Sequence, residues 1–282
     1  MDLLLFVFAT FTGAVAAGTL GALLGLGGGI IVIPVLTLLL GIDIRYAIGA
    51  SVVSVIATSS GAAAAFVRDG LTNRRIGLFL EMATTVGAVL GAFIATYVGA
   101  PFLYIVFAVV LSYSALVMYR KRYAEVPIET PNHPWAEHLR MASSYHDQVE
   151  GRVVRYSVSG VPLALALMAV AGIVSGLLGI GSGALKVPAM DIVMRLPIKI
   201  SSATSNFMIG VTAVASAGVY FSRGVIVPIV AGPVAIGVLL GALLGARLMV
   251  RLRSRAIRQI FVIVLILVAL QMAARGLGLQ YA

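Results

Sequence analysis

Residues 179–188 read GIGSGALKVP, and residues 25–34 read GLGGGIIVIP. Each string packs glycines into an apolar run and closes on a proline. Glycine costs a helix interior about 1 kcal/mol against alanine, and proline about 3. Both stretches are therefore expected to break one helix and open another. Set over each other they stand 154 residues apart, and the match runs without a gap from Gly18 over Gly172 to Gly70 over Gly224. Gly25/Gly179, Gly27/Gly181, Gly29/Gly183, Pro34/Pro188, Ser51/Ser205 and Thr58/Thr212 are identities, and Arg45 lies over Lys199. Further on, an offset of 150 puts Gly87 and Gly91 over Gly237 and Gly241. Each half ends with one more apolar segment, so a five-segment unit is duplicated.

The medium around these strings is lipid. Of 282 residues, 61% are hydrophobic and 11% charged, and the mean hydropathy is +1.08. A soluble domain carries roughly 25% charged residues. The apolar segments fall near 3–24, 30–40, 46–66, 77–98, 101–119, 158–178, 184–194, 200–221, 226–247 and 257–273. In lipid they must be helices, because strands would leave backbone groups unsatisfied and no barrel-type alternation is present. Segments 30–40 and 184–194 are too short to span upright; whether they span or re-enter stays open. The N-terminus lacks a basic n-region and reads as a retained span.

Net charge is +10, yet the basic residues sit between apolar runs, where they set orientation rather than bind nucleic acid. Loop 67–76 carries Arg68, Arg74 and Arg75, whereas its counterpart carries Arg223. Turn 98–101 carries no charge, whereas 247–258 carries Arg247, Arg251, Arg253, Arg255 and Arg258. The positive-inside rule then puts 67–76, 120–157 and 247–258 in the cytoplasm, with turn 98–101 and both termini outside. The expected fold is an all-α polytopic membrane protein of two inverted-topology repeats, each with a glycine-broken short or re-entrant helix. Residues 1–119 form the first repeat, 120–157 a cytoplasmic linker and 158–282 the second repeat. Inverted halves with matching broken helices indicate a secondary transporter, its site near the midplane where the breaks meet.

The candidate substrate residues follow from that geometry. Gly27, Gly28, Gly29, Gly181, Ser182 and Gly183 offer freed backbone N–H groups ahead of short helices, a setting that favours anions. Close helix packing through small residues is the other reading of them. Lys186 stands inside the second apolar run, where a charge costs roughly 2.5–3.5 kcal/mol or more. It is either an interfacial or structural charge or the cation for an anionic substrate. Ser51, Thr204, Ser205 and Asn206 open the helices after each short segment, as caps, as interhelical ties or as oxyanion ligands. Among gating or coupling candidates, Asp191 is too far round a helix from Lys186 for a same-face pair. It is expected to pair with another helix or to carry a proton. Glu81 is expected near the cytoplasmic interface, paired with Arg74 or Arg75, or carrying a proton. Arg45 and Lys199 flank the two mouths, as topology charges or anion attractors. Gly87, Gly91, Gly237, Gly241 and Gly245 form small-residue faces for contacts within the chain or in a homodimer. Trp135, His133, His138 and His146 lie in a solvated linker without metal-ligand spacing.

These strings, together with IGASVVSVIATSSG (48–61), SSATSNFMIGVTA (201–213) and the continuation of the second break as GIGSGALKVPAMDIVM (179–194), resemble the TauE/SafE sulfite exporter family, also called the 4-toluene sulfonate uptake permease family. The resemblance covers nearly everything except 120–157. Ser182 departs from the family's glycine triplet, and Ile33-Pro34 from its Val-Pro. The resemblance implies transport, usually export, of small sulfur-containing oxyanions such as sulfite or organosulfonates across a bacterial plasma membrane, coupled to an ion.

Other classes fit less well. The chain has no cysteine, so disulfides and thiolate chemistry are excluded. No βαβ context supports a nucleotide loop, and no cofactor or metal is implied. Ser182 with Lys186 is formally a Ser-Lys dyad, but no histidine lies in a span, so enzyme activity is not expected. A passive anion channel is the main alternative to a transporter.

Overall fold

The computed structural model describes residues 3–120 and 132–278. The sequence-based placement of both termini outside, and of the linker's first residues in the cytoplasm, concerns positions 1–2, 279–282 and 121–131, outside the described residues. The first half runs α1 (Leu3–Leu24), α2 (Gly29–Pro34), a π-helical turn (Val35–Leu39), α3 (Ile44–Arg68), α4 (Arg74–Ala95) and α5 (Ala100–Arg120). A short helix α6 (Pro134–His138) and a hairpin β1 (Ser143–Asp147) and β2 (Arg152–Tyr156) follow. The second half runs α7 (Val161–Leu178), α8 (Gly183–Pro188), a π-helical turn (Ala189–Val193), α9 (Ile198–Ser222), α10 (Pro228–Arg251) and α11 (Ser254–Gly276). Among the described helices, α1, α3, α4, α5, α7, α10 and α11 are long and apolar enough to cross a membrane. Helix α9 equals α3 in length at 25 residues but carries more polar side chains.

Local chemistry explains the boundaries. The Asp43 carboxylate accepts from the Arg45 N–H and starts α3; the Asn73 side chain accepts from the Ile76 N–H and starts α4. Pro34 and Pro188 lack an N–H and crowd the preceding turn, and the chain continues past each as a π turn. Each α-plus-π unit has 11 residues, about 16 Å, roughly half a hydrocarbon core.

The duplication is visible element by element. α2 over α8, the two π turns and α3 over α9 match end to end at 154 residues, and α4/α10 and α5/α11 start 154 apart. This corrects the switch to an offset of 150. Gly87 faces the Ala169 carbonyl and Ile173 N–H, while Gly241 faces the Val15 carbonyl and Thr19 N–H, the positions 154 earlier. Gly91 and Gly245 correspond likewise. Glycines four apart sit one helical turn apart, so a slip of one turn still aligns glycine on glycine and the string alone cannot reveal it.

Packing exchanges partners between the halves. α1 lies on α10 and α7 on α4; α3 lies on α10 and α9 on α4. α3 meets α9 at the centre, and α5 meets α11. The glycine faces are used inside the chain: a Cβ on Gly91 would stand 2.0 Å from the Ile173 carbonyl oxygen, and one on Gly245 2.2 Å from that of Thr19. The end of α11 meets the start of α5, with Gly276 against Ile105 and Tyr104.

Residues 132–158 are more ordered than the expected solvated loop. The hairpin pairs Ser143 with Tyr156 and Asp147 with Arg152, and Met141, Tyr145, Val154, Tyr156 and Val158 are buried. The Asn73 amide donates to the Met141 carbonyl at 2.7 Å and the Tyr156 hydroxyl at 3.0 Å, and the Arg75 guanidinium donates to the Arg140 carbonyl at 2.6 Å. Apolar residues spread thinly through a polar stretch gave no helical period to read. Trp135 is 48% exposed and stands edge-on to Phe79. His133 caps α6, and among the described residues no cluster could hold a metal ion.

Candidate functional site

The two breaks meet back to back at the centre. After α1 the chain turns through Gly25, Gly27 and Gly28 at φ between 70° and 81°; after α7 it turns through Gly179, Gly181 and Ser182 at φ 65°, 75° and 58°. Ser182 is the departure from the glycine triplet, an L-residue in the left-handed region, and its hydroxyl donates to the Gly181 carbonyl at 2.7 Å. A Cβ on Gly183 would sit 2.1 Å from the Gly25 carbonyl oxygen, so only glycine permits this approach.

Crossed hydrogen bonds lock the breaks. Ser51 on α3 donates to the Gly179 carbonyl, and its counterpart Ser205 on α9 donates to the Gly25 carbonyl, both at 2.7 Å. The last carbonyls of a helix have no partner within it. Here the opposite half or a neighbouring helix supplies one: Asn206 reaches Ala22 at 2.7 Å, Ser202 reaches Leu24 at 3.3 Å, and the Tyr220 hydroxyl donates to Gly176. Thr204 accepts the Asn73 N–H at 3.1 Å and ties α9 to the start of α4. In this conformation Ser51, Ser205 and Asn206 thus act as ties through their donors, while the buried Asn206 amide oxygen has no hydrogen-bond partner among the described residues. Among the described backbone hydrogen bonds, the N–H groups of Gly181, Ser182 and Gly183 are not used, whereas those of Gly27 and Gly29 are.

Lys186 is fully buried. Its ammonium donates to the Glu81 Oε2 at 3.0 Å and the Thr212 Oγ1 at 2.7 Å. Thr212 in turn donates to the Glu81 Oε1, Thr84 donates to Oε2 at 2.8 Å and Thr85 to Oε1 at 3.3 Å. Glu81 is 5% exposed, which corrects the expectation of an interfacial carboxylate paired with Arg74 or Arg75. It lies about 10 Å along α4 from Arg74 at 1.5 Å per residue. It faces α8 and α9 there rather than water.

The pair has no twin. At the offset of 154 the equivalents of Lys186, Glu81 and Thr212 are Val32, Ala235 and Thr58. One half-site therefore carries a cation, a carboxylate and hydroxyls, and the other a single hydroxyl.

Two more buried pairs lie outside the centre. Asp191 pairs with Arg258 on α11 at 2.6 Å, an interhelical partner as expected. Its equivalent Thr37 engages Tyr104, which stands where Arg258 does. Lys199 donates to both carboxylate oxygens of Asp147 at 2.9 Å and is 2% exposed, while its counterpart Arg45 is exposed. Burial pushes the Asp147 carboxyl up, but Lys199 and the N–H groups of Val149 and Glu150 outweigh it and hold it below the ordinary aspartate value. Sequence reasoning did not single out Thr84, Thr85 or Asp147, and it read Arg258 only as an orienting loop charge, whereas the structure buries it against Asp191. Thr84 and Thr85 stand three and four residues after Glu81, the spacing of helical neighbours, and that signal was available.

The family model described as "Sulfite exporter TauE/SafE" matches residues 10–272. The chain belongs to that family. Over 268 residues it is 28% identical to the "Probable membrane transporter protein YunE" of Bacillus subtilis, covering 93% of this chain and 95% of that protein. Over 220 residues it is 26% identical to the "Probable membrane transporter protein YdhB" of the same organism, covering 78% and 81%. No solved structure is significantly similar to it. This TauE/SafE chain is thus a multi-pass membrane protein of a transporter family, not an enzyme, as its sequence implies.

Proposed function

We propose that the chain is a secondary transporter of small sulfur-containing oxyanions, sulfite or organosulfonates such as sulfoacetate. It works by alternating access around a site between two inverted repeats in a bacterial plasma membrane. Lys186 carries the reading: a fully buried ammonium beside the meeting point of two helix breaks, in a half-site whose twin is neutral. A buried charge without a task costs several kcal/mol and could be replaced by apolar packing. The N–H groups of Gly181, Ser182 and Gly183 and the Thr212 hydroxyl add donors suited to an oxyanion, which accepts hydrogen bonds on every oxygen.

Inversion is supported by the loop charges and by α5 and α11, equivalent helices that meet start to end. Alternating access is supported by burial. Lys186 and Glu81 are sealed, so an anion reaches them only after α8 or α9 moves. Export is the direction that the family's description carries.

Thermal shift of the purified protein tests the substrate class, because a ligand raises the melting point of what it binds. Sulfite, methanesulfonate and sulfoacetate are expected to stabilise the wild type, and chloride is not. A Lys186→Met/Glu81→Gln variant, neutral at the site, is expected to lose the response. Equal shifts in that variant would overturn the role given to Lys186.

A further inference from the structure

The Glu81 carboxylate is itself an oxyanion held by one ammonium and three hydroxyls, those of Thr212, Thr84 and Thr85. That is the donor set a sulfite or sulfonate group would require. We infer that Glu81 is a tethered competitor for Lys186, and that its protonation on displacement couples the transport of one anion to one proton. The inference rests on the oxyanion reading above and names its coupling ion.

Charge balance carries it. As built, the site holds one cation and one carboxylate, both buried. A monoanion on Lys186 would leave two negative charges facing one positive charge without water, at a cost of several kcal/mol. One proton on a Glu81 oxygen restores neutrality and turns that oxygen from acceptor into donor. The proton enters from the side on which the anion binds and leaves with it on the other. Transport of a monoanion is then electroneutral, and a dianion carries one net negative charge.

Among the described residues, the other ionisable groups on the surrounding elements are engaged elsewhere or exposed, and Asp191, on the π turn after α8, pairs with Arg258. α8 offers Lys186 alone, and α7, packed on α4, carries no titratable side chain. On α9, Lys199 is committed to Asp147 and the Tyr220 hydroxyl to the Gly176 carbonyl. On α4 itself, Arg75 reaches out to the Arg140 carbonyl and Arg74 is exposed.

The test uses full-length protein in proteoliposomes with a pH dye inside and the membrane potential clamped at zero with potassium and valinomycin. The probe is methanesulfonate, a monoanion throughout the working pH range, so its own titration does not contribute. An inward gradient is expected to acidify the lumen, with one proton entering per methanesulfonate. Methanesulfonate flux without acidification would overturn the coupling and leave the substrate class intact. Absence of flux for methanesulfonate, sulfite and sulfoacetate alike would overturn the substrate class and the coupling with it.

In Glu81→Gln, the methanesulfonate flux that remains is expected to move no protons, whatever its rate; proton movement retained in it would remove Glu81 from the role. Glu81→Asp guards against a glutamine variant that does not fold. It is expected to keep the ratio of one while slowing flux, and a changed ratio counts against the inference.

Discussion

The Lys186–Glu81 pair makes a double-mutant cycle the most quantitative check on the structure. Lys186→Met leaves a carboxylate that is 5% exposed with three hydroxyl donors and no cation. Removing one partner of a buried pair costs about 3–5 kcal/mol. At roughly 2–4 °C per kcal/mol, the melting point falls by about 6–20 °C. Glu81→Gln instead leaves the ammonium without a counter-charge, facing an amide oxygen and Thr212, and a fall of the same order is expected. The double variant strands neither charge. Replacing a buried pair by neutral side chains of similar volume is often neutral or stabilising by about 1–4 kcal/mol. Its melting point should therefore return to or above the wild-type value. The assay is fluorescence-detected size exclusion after a heat step, on the three variants in one detergent. Additive losses, with the double variant lower than either single one, would refute a buried pair. So would single variants that melt with the wild type.

Four further outcomes are expected. Gly91→Ala and Gly245→Ala push a methyl into a backbone carbonyl and should each cost about 1–3 kcal/mol, while Gly232→Ala, inside α10 with open space around it, should raise the melting point slightly. Ser51→Ala and Ser205→Ala each leave a buried break carbonyl without its donor and should cost about 1–3 kcal/mol by thermal melting, in equal measure if the crossed bonds are equivalent. Asp147→Asn should loosen the hairpin from Lys199 at neutral pH and red-shift the emission of Trp135, the only tryptophan; an unchanged spectrum would separate the hairpin from that contact. Because the folded Asp147 value is depressed, the wild-type contact is present above the unfolded aspartate value of about 3.9 and is lost as pH falls through the lower folded value. Emission should therefore hold from neutral pH down to about 4 and shift only below it.

How much the string reveals depends on how local each signal is. The breaks are legible because glycine and proline act on their own backbone: 25–29 and 179–183 interrupt helices where the composition says they must. The duplication is legible because Ser51/Ser205 and Thr58/Thr212 recur in register. The Ser51 pair turns out to be the crossed bond that joins the halves. Lys186 announces itself by its cost in lipid, but its partner does not. Glu81 sits about two turns along α4 from Arg74, deep enough to be buried against α8 and α9 while Arg74 stays exposed. Which face of α4 turns inward is set by the Gly87 and Gly91 seam with α7, a tertiary fact. Asp147 is hidden for the same reason, since a carboxylate in a polar linker looks solvated until a hairpin folds it onto Lys199.

Counterflow measures the role of Lys186 without any assumption about coupling or direction. Proteoliposomes loaded with unlabelled methanesulfonate or sulfite are diluted into a trace of the labelled anion, and lumenal label is followed over time. Wild-type protein should accumulate label above equilibrium. Lys186→Met/Glu81→Gln, folded and reconstituted at the same density, should not. Accumulation by the double variant at the wild-type rate would contradict an anion site built on Lys186.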